Sequence, residues 1–125
     1  MNIPAELRYT QDHEWISEEG GTATIGITDF AQGELGDIVF LELPKVGETY
    51  EAGAECGTIE AVKTVAQLFA PVSGTISEVN SALENDASLV NRDPYGEGWM
   101  IKIKMSEVGQ LDELLSGDDY SAQVS

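Results

Sequence analysis

The sequence predicts an all-β fold, a flattened barrel or sandwich of short strands with minor helices. Three observations carry that reading. Short runs rich in β-branched and aromatic residues recur along the chain, Gly and Pro punctuate them at close intervals, and little of the chain carries helical periodicity. The predicted strands cover residues 15–17, 22–27, 37–43, 55–61, 65–69, 74–80 and 99–104.

The connections follow from the residues between the strands. Thr28-Asp29-Phe30-Ala31-Gln32 reads as a short helix after the second strand, with Thr28 or Asp29 as N-cap and Gly33 or Gly36 as its end. Leu111, Leu114 and Leu115 share one helical face near the C-terminus, and Gly117 is expected to stop that run. Asp118-Asp119-Tyr120 opens a last short helix, and the final few residues are expected to fray. A Pro-x-x-Gly core followed by a strand occurs twice, at Pro44-Lys45-Val46-Gly47 and Pro71-Val72-Ser73-Gly74. In each, Pro ends an extended segment and Gly supplies the turn, so two such units facing each other would put the segment between them at one end of the barrel.

The 125 residues are expected to form one unit, with a hairpin core over about 43–80 and a helical segment over about 107–122. A lone cysteine, Cys56, cannot form an intramolecular disulfide and reads as a small buried hydrophobe in a reducing compartment. The N-terminus has neither a basic start with an apolar core nor an Arg-rich character, so no leader is expected. No apolar run approaches the roughly 20 residues that cross a bilayer. The expectation is a cytoplasmic protein, monomeric apart from transient contacts. With 23 acidic residues against 6 basic ones, the net charge of −17 repels phosphate backbones and anionic membranes. It suits partners with basic docking surfaces, and equally solubility alone.

One of those six basic residues, Lys63, lies midway between two apolar strand-like runs, Gly57-Thr-Ile-Glu-Ala-Val before it and Thr64-Val-Ala-Gln-Leu-Phe after it. A lysine at a hairpin tip projects into water on a flexible stem, where another protein can grip it and modify its amine.

Pro-x-x-Gly, strand, lysine hairpin, strand and Ala70-Pro71-Val72-Ser73-Gly74 together resemble a biotinyl/lipoyl carrier domain. Biotin carriers place methionine on both sides of the lysine, whereas the neighbours here are Val62 and Thr64. The chain is more similar to the H-protein family of the glycine cleavage system. The resemblance runs through His13-Glu14-Trp15, residues 25–32, residues 35–44, Ile59-Glu60-Ala61-Val62-Lys63 and residues 91–99, in the same order. It implies a barrel-sandwich hybrid and a non-enzymatic shuttle with lipoate attached covalently at Lys63. The partners it implies are a pyridoxal-phosphate glycine decarboxylase, a tetrahydrofolate-dependent aminomethyltransferase, a flavin-dependent dihydrolipoamide dehydrogenase and a lipoylating enzyme. The aminomethyl group of glycine would pass from the first to the second on the lipoyl arm.

Two acids join Lys63 as candidate site residues. Glu14, in the His-Glu-Trp block, is implicated by the resemblance in the cleft that shelters the loaded arm, where a carboxylate can hold a cationic amine. Glu60, just before the lysine, reads either as a solvated strand residue or as a contact of the modifying enzyme. The strand after the lysine departs from the family in carrying neutral Gln67 where an acid is frequent, and Ala-Val-Lys-Thr replaces the commoner Ser-Val-Lys-Ala. Gln67 can still offer its carbonyl oxygen to an ammonium. His13 is the single histidine and lacks the partners of a metal cluster or a catalytic triad in the sequence pattern. Trp15, Phe40 and Trp99 read as core or cleft walls, and Tyr95 as a loop residue on a docking face. Two further readings stay open. One is a carrier that relays lipoate to other acceptors, and the other is an unmodified interaction module of the same fold.

Overall fold

A computed structural model describes residues 2–124. Nine strands alternate with short helices: β1 (Arg8–Tyr9), β2 (Glu14–Glu19), β3 (Thr22–Ile27), α1 (Asp29–Leu35), β4 (Ile38–Glu42), β5 (Thr49–Tyr50), β6 (Glu55–Ala61), β7 (Val65–Phe69), β8 (Gly74–Val79), α2 (Ala82–Asn85), α3 (Leu89–Arg92), β9 (Ile101–Met105), a 3-10 helix at Val108–Glu113, and α4 (Gly117–Val124). They form a six-stranded sheet in the order β1-β2-β3-β9-β8-β5 and a three-stranded sheet in the order β4-β6-β7. Every pairing is antiparallel.

The core lies between the sheets because each contributes one alternating face of branched aliphatics. Ile16, Ile25, Ile76, Ile101 and Ile103 from the larger sheet meet Ile38, Ile59 and Leu68 from the smaller one, all buried. Cys56 joins this core as expected. A second cluster of Leu7, Tyr9, Trp15 and Tyr120 fastens the C-terminal helix to the outer edge of the larger sheet, with the Tyr9 and Tyr120 rings stacked at 4.7 Å. Trp15 faces Gly26 across β2 and β3, where a β-carbon would stand 2.7 Å from the indole nitrogen, so only glycine admits the ring.

The repeated Pro-x-x-Gly units do face each other: Gly47 N–H donates to the Ile76 carbonyl and Ile76 N–H to the Glu48 carbonyl, both at 2.8 Å. They bring β5 onto β8, with Thr49 opposite Thr75.

Four expectations need correction. The helix over Leu111, Leu114 and Leu115 is a 3-10 helix that ends at Glu113, with Leu114 already extended. Gly117 begins α4 instead of ending a run, because its Cα packs where a β-carbon would lie 3.2 Å from the Ala5 backbone. The residues expected to fray are helical through Val124, since Tyr120 anchors that helix; Ser125 lies outside the described residues. Finally, Phe40 is neither core nor cleft wall but 53% exposed on the outer face of the smaller sheet.

Candidate functional site

Lys63 occupies the tip of the β6–β7 hairpin. Glu60 pairs with Val65 across the strands, Ala61 N–H donates to the Thr64 carbonyl at 2.8 Å, and the intervening residues make the turn. Val62 N–H donates to the Asp37 carbonyl at 3.0 Å, which ties the tip to the segment between α1 and β4. The lysine is exposed, and its stem lies along Gly36, where an added β-carbon would stand 3.4 Å from Lys63 Cε.

Gly36 is also the C-cap of α1, and α1 forms one wall of a cleft. Thr28 starts this helix by accepting from Ala31 N–H at 3.1 Å, and Gly36 ends it at φ 79°, donating to the Gln32 carbonyl. The cleft, of about 320 Å³, runs between α1 and the free edge of β7. Its walls are apolar, made by Ile27, Phe30, Ala31, Leu35, Ile59 and Ala66, with Gln67 and Glu34 at its margin.

Glu14 supplies the buried polar group of the cleft. It begins β2 and is 2% exposed, yet both carboxylate oxygens are bonded: Thr10 Oγ1 donates to Oε1 at 2.9 Å and Phe69 N–H to Oε2 at 3.0 Å. Removal from water pushes its pKa up from 4.5 to about 7, against the lowering effect of those two bonds, and the neighbouring Asp12 charge adds to the rise. A carboxyl poised there is ionised by a cation placed against it.

His13, which the sequence places in the His-Glu-Trp block without a role of its own, forms part of the cleft wall. It has φ 68°, a left-handed conformation that few non-glycine residues adopt. Its ring packs on Phe30 at 4.9 Å, and burial lowers its pKa against the raising influence of Asp12 and Glu34. Its position beside Glu14 in a compact polar-aromatic block was the available signal.

Thus Glu14 lies in the wall of the cleft, while Lys63 stands beside Gly36, the residue that follows cleft-lining Leu35. The structure leaves Glu60 outside, half-buried on the opposite face of the β6 strand between Phe40 and Val65. Tyr95 is largely enclosed: its hydroxyl donates to the Asn2 carbonyl at 2.6 Å and accepts from Asp29 N–H at 3.0 Å.

Two antiparallel sheets, an exposed hairpin lysine and a nearby apolar cleft with a buried carboxyl group define a carrier domain of the lipoyl type. Residues 7–125 match the family model described as Glycine cleavage H-protein. The glycine cleavage system H protein of Chlorobaculum parvum is 58% identical over 126 aligned positions, covering 99% of this chain and 98% of that one. That of Bacteroides thetaiotaomicron is 54% identical over 125 residues, covering 100% and 99%. A crystal structure of a glycine cleavage system H protein from Mycobacterium marinum superposes with a TM-score of 0.90 at 44% identity over 98% of each chain. The chain belongs to the glycine cleavage H-protein family. Among the described residues, no helix is long and apolar enough to cross a membrane.

Proposed function

We propose that the chain is a carrier of the glycine cleavage system that bears lipoate in amide linkage on Lys63. The observation that carries this reading is a hairpin lysine whose stem lies beside Gly36, the C-cap of the helix that walls an apolar cleft with one buried carboxyl group. When bound, the lipoyl group supplies a reducible disulfide on a long hydrocarbon arm, which carries the aminomethyl group of glycine. The residues present fit it: Phe30, Leu35 and Ile59 match the hydrocarbon, and Glu14 matches a cationic amine.

The chain's own contributions are presentation and shelter. Lys63 provides the attachment nitrogen in a turn open to solvent. The cleft walls exclude water from whatever lies against them. Glu14 holds an ammonium best when ionised, so its grip strengthens as pH rises through about 7. The partners implied are the decarboxylase that loads the arm, the aminomethyltransferase that unloads it, the dihydrolipoamide dehydrogenase that reoxidises it, and a lipoylating enzyme. The chain itself catalyses no step.

Intact mass of the protein from its native host, followed by peptide fragmentation, tests the assignment. A lipoyl adduct confined to Lys63 is expected. Lys63→Arg keeps the charge but removes the acceptor, so this variant should fold and carry nothing; glycine cleavage supported by it would defeat the proposal.

A further inference from the structure

The smaller sheet leaves an apolar face uncovered next to Lys63. Phe40, Glu60 and Val65 stand side by side on it across β4, β6 and β7. A β-bulge between Ile38 and Phe40 turns Val39 outward as well, so two consecutive large apolar residues of β4 reach solvent. Exposures are 57% for Val39, 53% for Phe40, 52% for Val65 and 75% for Val62 at the hairpin tip. Val65 lies two positions beyond the lysine, about 7 Å along an extended chain. Exposed apolar residues grouped in this way around a single carboxylate, Glu60, mark a binding face.

Charge identifies the kind of occupant. The β4, β6 and β7 strands carry Glu42, Glu55 and Glu60 and contain neither lysine nor arginine. At a net charge of −17, a second copy of the chain is repelled from this face, whereas a basic rim is attracted. Position narrows the choice further. Enzymes that act on the far end of an arm attached to Lys63 need not approach its base. An enzyme that acts on Lys63 Nζ itself must close over the hairpin tip and the surface beside it.

Resting on the carrier reading above, we propose that the outer face of the β4-β6-β7 sheet is the docking surface for the enzyme that acylates Lys63. Val39, Phe40, Val62 and Val65 form its apolar centre, and Glu42 and Glu60 meet cationic side chains of that enzyme. The step served joins Lys63 Nζ to the acyl carbon of a lipoyl mixed anhydride with a phosphate ester. The new amide C–N bond forms as the acyl C–O bond breaks, and the phosphate leaves with the electron pair. Lys63 gives up two protons overall, one before attack and one from the tetrahedral adduct, and no atom changes oxidation state.

The test uses the full-length apo chain, lipoate, ATP and a purified lipoate–protein ligase, with acylation followed by intact mass. Phe40→Ser combined with Val65→Thr should raise the KM for the carrier about tenfold or more, as removal of central apolar anchors does, with kcat within about twofold. Val108→Ser, at an exposed apolar residue on the 3-10 helix, should leave both constants unchanged. Added salt should raise the wild-type KM, because the rim contacts are ionic. Near-UV circular dichroism checks the fold; if the double variant loses it, Phe40→Ser alone is judged by the same KM criterion. A KM within about twofold of wild type overturns the docking surface while leaving Lys63 as the acceptor. Sedimentation that finds a wild-type dimer abolished by the double variant overturns it in favour of a self-interface. Absence of any adduct on wild-type Lys63 instead defeats the carrier reading itself.

Discussion

The Tyr120 hydroxyl lies 2.8 Å from His13 Nδ1, joining α4 to the cleft wall across 107 residues of chain. The same hydroxyl is 2.7 Å from Thr28 Oγ1, the N-cap of α1. A chain of bonds in which Thr28 donates to Tyr120, and Tyr120 to a neutral His13, satisfies each group, and the lowered His13 pKa agrees with it. The C-terminal helix therefore holds both the left-handed His13 and the start of α1. Tyr120→Phe keeps the stack on Tyr9 but leaves these partners unbonded, and should cost about 1–3 kcal/mol in urea unfolding. A loss below about 0.5 kcal/mol would mean that His13 and Thr28 find other partners without it.

Glu14 predicts a pH dependence with a definite sign. Its folded pKa, about 7, lies above the ordinary 4.5, so the folded state binds the proton more tightly than the unfolded chain. Its contribution to stability is fully present below about pH 4.5 and falls as pH rises to about 7, by an amount of about 3 kcal/mol. Glu14→Gln keeps an acceptor for Phe69 N–H and removes the titration. The variant should match wild type near pH 4 and exceed it in melting temperature at pH 8. His13 titrates nearby with the opposite sign, its lowered pKa adding stability as pH rises. The quantity to measure is thus the difference between variant and wild type across pH; a flat difference refutes the buried-carboxylate account.

The parts of the fold that were legible in the sequence are those where side-chain alternation and turn residues agree. Ile59 and Ala61 pointing inward, Thr28 capping α1 and the Lys63 turn all follow from that agreement. Local pattern fails where tertiary contacts decide. The strands β1 and β5 have two residues each and carry no period; β1 exists because it pairs with β2, and Tyr9 also exchanges backbone bonds with Leu115. In the single-turn helices α2 and α3 neither N-cap, Ser81 or Ser88, makes a side-chain cap bond, and both helices form around buried Leu83 and Val90. Phe40 sits in a run of four apolar residues, Ile38-Val39-Phe40-Leu41, and only the bulge decides which of them face water. In the candidate site, the Lys63 turn was legible from the strands that flank it, whereas Glu14 was singled out through motif resemblance and nothing in its residue type foretold its burial. The left-handed backbone of His13 left only a weak trace, since histidine joins Asn and Asp among the non-glycine residues enriched at positive φ.

Gly36 predicts a coupled defect. Its φ of 79° with ψ of −153° belongs to a region open essentially to glycine alone. Asn91 clamps this corner, its Nδ2 donating to the Gly36 carbonyl at 2.8 Å and its Oδ1 accepting from Ile38 N–H at 2.9 Å. The backbone cannot relax without loosening the entry to β4. Gly36→Ala should therefore cost about 1–3 kcal/mol. Its β-carbon would meet the Lys63 stem only in ordinary van der Waals contact, 3.4 Å from Cε, so the strain is in the backbone. Hydrogen exchange should find lost protection at the end of α1 and in β4; unchanged protection there with unchanged stability would refute the strain argument.

Cys56 offers a probe of the seam between the sheets. The thiol is 6% exposed, and burial, aided by the nearby Glu14 charge, pushes its pKa up to about 12. Because the thiolate is the reactive form, a disulfide reagent at pH 8 should label the native protein below about 1% of the rate for unfolded chain. Labelling then requires opening of the core, so its rate should rise with urea in step with the opened population. Glu14→Gln removes the neighbouring negative charge and should make Cys56 more acidic. If opening limits access, that acidity stays hidden in the native labelling rate, which should instead fall as the variant gains stability above pH 7. A faster native rate in the variant would mean that reagent reaches Cys56 through the closed structure, contrary to the packing of Ile59, Leu68 and Ala70 in the same core.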